Sequence, residues 1–302
     1  MKISVLLVGA LKDGGFNQSA HDGALRLRDT HGEAIEIVGG IPYDTAAMSE
    51  ALSSAAGQSN GVVFIGGQGN LVTPTVAARF PDRSFAIVQG NIQTANIASY
   101  DVLQEQSAFL AGVLAARMTE SGKVGHLSGH RVVPGLKGRA AFVSGVRYVD
   151  NSLPVLTGFC GTQDDSTTTE HWTRAMVDAG ADIVFTMLNA ARNGATRACR
   201  ETGMRQIGNV SDWCASDPDV FVGSALARID LGVERAVSDM RAGVHPDTIR
   251  HLGLVEGAVG LAVAPDVPPA IRDEIAAIGD RIAAGQITIE TTFDGPEFEA
   301  VI

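Results

Sequence analysis

The chain has 302 residues, 45% of them apolar, enough for one large core or two ordinary ones. Lys and Arg number 23 against 34 Asp and Glu, a formal net charge of −11 without a dense basic run, which argues against nucleic acid and anionic lipid surfaces as partners. No apolar stretch approaches the roughly 18 to 20 residues that span a bilayer, and Cys160, Cys199 and Cys214, odd in number and far apart, exclude a full disulfide framework; free thiols are the expectation, with one bridge left open.

The opening MKISVLLVGA carries a lysine and a short apolar run but no small-residue cleavage site before the glycine turn, so it reads as a first strand rather than a signal peptide. Continuous apolar runs then recur: GVVFIGG, SFAIVQG, KVGHLSG, VLTGFCG, DIVFTML and QIGNV. Continuity, rather than alternation, is the pattern of strands buried on both faces of a parallel sheet. Amphipathic segments separate them, with helices expected over 19–30, 45–56, 73–78, 104–118, 138–149, 166–179 and 193–202. Strand and helix alternating through short connections predict an α/β chain of right-handed crossovers.

About four strands precede Asn96 and about four follow Lys123, which predicts two similar lobes. NIASYDVLQEQ (96–106) reads as the first passage between them, with VFVGSALARI (220–229) and IRHLGLVEGAVGL (249–261) as the second and third. The expected lobes are 1–102 with 226–252, and 103–225 with 253–302, joined by a three-strand hinge, with a ligand cleft between them.

Ligands of open parallel sheets bind beyond the carboxyl ends of the strands. That rule selects LKDGGFNQS, IPYDT, GGQGNLVTP and QGNIQ in the first lobe, and SGHRVVPGLKGR, FCGTQDDS, LNAARNG and NVSDWCASDPD in the second. Two aromatics stand alone in these polar loops, Phe16 and Trp213. A flat heterocycle stacked on them gains about 0.5–1.5 kcal/mol beyond burial. Asn17, Gln89, Asn189 and Asp212 are placed to read its edge, with Asp13 and Gly67 in the same loops. The plainer reading makes Phe16 a plug over the sheet, Asn17 a helix cap and Trp213 ordinary packing.

Other motifs carry less. GGQGN lacks the order of a dinucleotide fingerprint and the Lys-Ser/Thr of a P-loop. His126 and His130 have a ligand spacing only on a helix, yet lie in a strand and turn, so no metal and no cofactor is expected. Asp164 and Asp165 point to opposite faces and one is read as a helix cap. Arg131 and Lys137 are candidates for an anionic or sugar group, or solvated loop charges.

DGGFNQSAHDGALRL resembles the N-terminal signature of the basic membrane protein family of ABC-transporter substrate-binding proteins, an Asp-x-x-Phe-Asn-x-x-Ala-x-x-Gly pattern. NIASYDVLQEQSAFLAGVLAARMTESGKVGHLSG is similar to its stretch into the second lobe, and FVSGVRYVDNSLPV and GFCGTQDD to the motifs that follow. The resemblance covers essentially the whole chain. It implies a two-lobed type I periplasmic-binding fold, no catalysis, and a purine base or nucleoside stacked by Phe16. The chain departs from the pattern at Gln89, where the family places an aspartate, at Ala227, where nucleoside-binding relatives place a lysine, and at GNVSDW, where Asp212 replaces an aspartate on a shifted backbone. Those changes imply a sugar held differently or no ribose at all.

The expected function is therefore solute capture for an ABC permease by a monomer on the extracytoplasmic side, periplasmic or membrane-anchored, with the targeting segment absent from this chain. Two other classes compete: a cytoplasmic sensor of the same fold, and a nucleoside-processing enzyme, for which Asp13 and Asp212 show no basic partner.

Overall fold

A computed structural model describes residues 1–300. The chain folds into two compact units, one made of Met1–Val102 with Arg228–Leu252, the other of Leu103–Ala227 with the chain from Gly253 onward.

The first unit begins with β1 (Ile3–Val8), α1 (Phe16–His31), β2 (Ile35–Ile41), α2 (Thr45–Gln58) and β3 (Gly61–Ile65). It continues through α3 (Gly69–Ala77), β4 (Ser84–Val88) and β5 (Ile97–Val102), and closes with α8 (Ile229–Arg241) and β11 (Arg250–Leu252). Its sheet runs β11-β5-β4-β3-β1-β2, parallel throughout. Val5, Leu6, Val62, Phe64, Phe85 and Ile87 are buried, as apolar strands covered on both faces require.

The second unit contains α4 (Gln104–Met118), β6 (Val124–Ser128), α5 (Val133–Val149), β7 (Val155–Phe159), α6 (Ser166–Asp178), β8 (Ile183–Met187) and α7 (Arg192–Thr202). It is completed by β9 (Arg205–Val210), β10 (Phe221–Ala227), β12 (Val259–Val263) and α9 (Pro269–Ala283). The sheet order is β12-β10-β9-β8-β6-β7, with β12 antiparallel to β10 and the other pairs parallel. Helices α4 and α5 cross where a Cβ on Gly112 would lie 2.2 Å from the Phe142 carbonyl oxygen and one on Gly145 2.1 Å from that of Phe109, so only glycine permits this approach.

Several helices begin nearer their strand than the sequence pattern indicated. α1 opens at Phe16 rather than Ser19, α3 at Gly69 rather than Thr73, and α5 at Val133 rather than Gly138. Glycine-rich and proline-containing first turns show no apolar periodicity, yet Pro134 sits at a helix start, where its missing N–H costs nothing. Among the described residues no helix is long and apolar enough to cross a membrane.

Candidate functional site

In the first unit the loop after β1 is locked by its own side chains. Asp13, 4% exposed, accepts hydrogen bonds from the backbone N–H groups of Gly15 (2.8 Å), Gln18 (2.9 Å) and Asn17 (3.0 Å). These are among the orphan donors of a helix start, so Asp13 performs the capping that the sequence suggested for Asn17. Asn17 instead turns back: its Nδ2 donates to the carbonyls of Val8 (2.7 Å) and Ala10 (2.9 Å). Both residues hold the loop, and the side chain they leave half-buried in the first turn is Phe16. The ring lies beside the β3–α3 turn, where a Cβ on Gly66 would fall 3.9 Å from Phe16 Cε1.

That turn and the next are tied together by Asn70, which sequence reasoning passed over. Its Nδ2 donates to the carbonyls of Gly67 (3.0 Å) and Gln89 (3.4 Å), and its Oδ1 accepts from the Asn91 N–H (2.9 Å). Gln89 ends the fourth strand with φ +68°, a left-handed conformation that costs a non-glycine residue about 1–3 kcal/mol. Its Nε2 donates to the Val102 carbonyl (3.2 Å), while its Oε1, buried, has no hydrogen-bond partner among the described residues. A strained, 2% exposed amide with one unsatisfied acceptor is the kind of group a binding site retains.

The second unit builds the corresponding loops differently. Gln163 joins the loops after β7 and β8: its Oε1 accepts from the Asn189 N–H (3.1 Å) and its carbonyl from the Ala191 N–H (2.9 Å). Asn189 is 7% exposed, while Asp212 is exposed and accepts from the Ala215 N–H (3.2 Å) in a tight turn. Asp165 caps α6, accepting from the N–H groups of Thr167 and Thr168.

Trp213 is not the lone loop aromatic its surroundings in sequence suggested. Its Nε1 donates to the Asn209 carbonyl (3.0 Å), Phe221 lies 6.0 Å away, and a Cβ on Gly208 would meet its ring at 2.4 Å. The Arg192 guanidinium stacks over the indole, 3.4 Å from the ring centroid. The indole is thus largely a packed support, and the planar cation resting on it had no signal in sequence beyond a polar loop. The other two cations are also engaged: Lys137 pairs with Glu105 at 2.5 Å and Arg131 with Glu297.

His126 is fully buried in β6, its Nε2 3.0 Å from Ser128 Oγ. Desolvation, reinforced by the Arg139 charge, pushes its pKa down to about 3, so it is neutral at ordinary pH. Among the described residues no group of three or more His, Cys, Asp or Glu is placed to hold a metal ion.

Comparison with known proteins follows the same lines. Residues 1–292 match the family model described as "ABC transporter substrate-binding protein PnrA-like". The chain belongs to this family. As an ABC transporter substrate-binding protein it is 27% identical over 283 residues to basic membrane protein B of Borrelia garinii subsp. bavariensis, covering 87% of this chain and 81% of the relative. It is 22% identical over 299 residues to basic membrane protein A of Borreliella afzelii, covering 95% and 91%. A solved ABC transporter solute-binding protein from Aeropyrum pernix K1 superposes with a TM-score of 0.85 at 21% identity, covering 97% of this chain and 94% of that one. One described as a transcriptional activator of the comK gene from Bacillus halodurans gives 0.75 at 20% identity, covering 94% and 99%. At these identities the solved structures establish the type I periplasmic-binding fold. The family, whose members bind substrate for transporters and are not enzymes, supplies a small-molecule ligand and a permease as the general partners.

Proposed function

We propose that this substrate-binding protein captures a purine base or nucleoside-like molecule on the extracytoplasmic side and delivers it, as a monomer, to its ABC permease. The observation that carries the reading is Phe16. An aromatic ring is left half-buried in a helix first turn whose backbone is fixed by the buried Asp13 and Asn17, beside the glycine turn at Gly66 and Gly67. A rigidly held ring at the carboxyl end of a parallel sheet is a stacking platform already paid its ordering entropy.

Gln89 adds a buried acceptor, Oε1, suited to an N–H or O–H of the ligand, and Asn189 and Asp212 supply amide and carboxylate groups in the second unit. Gln89 and Ala227, in place of the family's aspartate and lysine, favour a free base over a ribose-bearing ligand.

The test is calorimetric titration with hypoxanthine, adenine, inosine and adenosine, beside native mass spectrometry of the freshly purified protein. One-to-one binding of a member of the panel is expected, with Phe16→Ala weakening it by roughly 10–100-fold, the value of lost ring burial and stacking, and Phe16→Tyr retaining it. Absence of binding by all four compounds, with no purine carried through purification, would reject the ligand class.

A further inference from the structure

The chain after α9 crosses the second unit without regular secondary structure and meets it at Phe293, Glu297 and Phe298. The Phe298 N–H donates to the Thr157 carbonyl (2.7 Å) in β7, the strand at the end of the sheet order, and its ring packs edge-on against Trp172. Gly158 makes room for this crossing: a Cβ there would lie 2.3 Å from Trp172 and 3.2 Å from the Phe298 carbonyl oxygen.

At the centre of the crossing the Glu297 carboxylate bridges two guanidinium groups. One oxygen accepts from Arg139 Nη1 (2.5 Å) on α5, the other from Arg131, in the loop that follows β6. Arg139, whose side chain is 7% exposed, also donates to the Phe293 carbonyl (2.7 Å), so it anchors the segment from two sides. Both guanidinium groups face the Phe159 ring, at 4.7 Å for Arg131 and 5.2 Å for Arg139. Arg131 is the exposed member of the pair, at 55%, and its loop occupies the carboxyl end of the sheet, where the ligand-contacting loops lie.

We propose that Glu297 is a positioning residue for the ligand-side loop 129–132. It fastens Arg131 to the buried Arg139 and so holds the loop from the C-terminal segment, in addition to the backbone bond from the Gly161 N–H to the Gly129 carbonyl (3.1 Å). The bridge acts through a charge-assisted hydrogen bond whose far end is a buried cation, which holds the carboxylate in one place. The ligand-side role of this loop rests on the solute-binding reading above; the fastening itself does not.

Amide hydrogen exchange of the full chain tests it with two variants. Arg131→Ala leaves the buried Arg139–Glu297 pair intact and frees only the loop; Glu297→Gln weakens both links and retains the side chain's shape. Each is expected to speed exchange at residues 129–133 on the order of tenfold, with α4, β8 and β9 unchanged, and Glu297→Asp to restore part of the protection. Wild-type exchange in the loop of both variants would overturn the proposal. A uniform rise across the second unit would overturn it too, since that marks a residue holding the whole unit. Titration of the same variants with hypoxanthine and inosine then asks about binding, with a severalfold loss expected. If neither compound binds even the wild type while the local exchange effect stands, the purine reading falls and the positioning role remains.

Discussion

The two units share a plan and differ in how they hold its first loop. Both place the first five strands in the same spatial order, and both cap the helix after the second strand with an aspartate, Asp44 in the first unit and Asp165 in the second. Both also end the fourth strand in a non-glycine residue with left-handed backbone, Gln89 at φ +68° and Val210 at φ +67°. They part at the sixth strand, parallel in one and antiparallel in the other, and at the loop after the first. In the first unit that loop is fixed by residues within ten positions of it; in the second it is tied to Glu297, 166 residues away from Arg131. One topological position can therefore be held locally or remotely, and the two arrangements respond differently to mutation.

The largest difference between the units should appear on acidification. β1 carries Val5, Leu6 and Leu7 through its middle, whereas β6 carries the buried His126. With the histidine held near pKa 3 in the fold against about 6.5 unfolded, the unfolded chain binds the extra proton between those values. Its contribution to stability is complete above pH 6.5 and is lost as pH falls toward 3, on the order of 5 kcal/mol over the window. Chemical denaturation from pH 7 to 4 should show this slope in the second unit, and His126→Phe should flatten it. An unchanged slope in that variant would assign acid sensitivity to the carboxylates instead.

Next in size is the lock of the first unit. Asp13→Ala removes the acceptor of three buried N–H bonds, and a loss of about 2 kcal/mol is expected from a capping carboxylate of this kind. The cost should fall on the first unit, with purine affinity dropping because Phe16 loses its fixed backbone. By contrast, Arg131→Ala in the second unit should leave global stability within about 0.5 kcal/mol, as an exposed pair allows. Equal effects from the two variants would erase the distinction between local and remote fastening.

How much of this was legible in sequence follows the same division. Continuous apolar runs announced the parallel sheets because burial on both faces leaves no alternation, and the sequence-based strands reappear as β1, β3, β4, β6, β7, β8 and β9. The DGGFNQS stretch announced the first loop, since everything that shapes it lies within a dozen residues. Within it the cap is Asp13, not Asn17, which ties the loop to the strand, because several spacings let a short polar side chain reach a helix start. Arg192 on Trp213 and Glu297 on Arg131 left no trace, for each pairs residues separated by loops or whole helices, and the amphipathic α8 and α9 lie beside and beyond the stretches read as passages, where no helix was expected.

A pair of opposite signs is the most diagnostic. Gln89 and Val210 hold the same backbone conformation at the same place, yet replacing each by glycine should change stability in opposite directions. Glycine adopts positive φ without penalty. At Gln89 it also removes the unsatisfied buried Oε1, at the cost of the 3.2 Å bond to Val102, so a gain of about 0.5–1 kcal/mol is expected. At Val210, 5% exposed, strain relief at its lower value of about 1 kcal/mol is outweighed by a buried apolar side chain worth about 2 kcal/mol, leaving a net loss of about 1 kcal/mol. Thermal unfolding of the two variants reads the signs directly. A stabilised Gln89→Gly that also loses purine affinity would show strain kept for binding; a stabilised variant with unaltered affinity would remove Gln89 from the site and leave the strain as a shared feature of the fold.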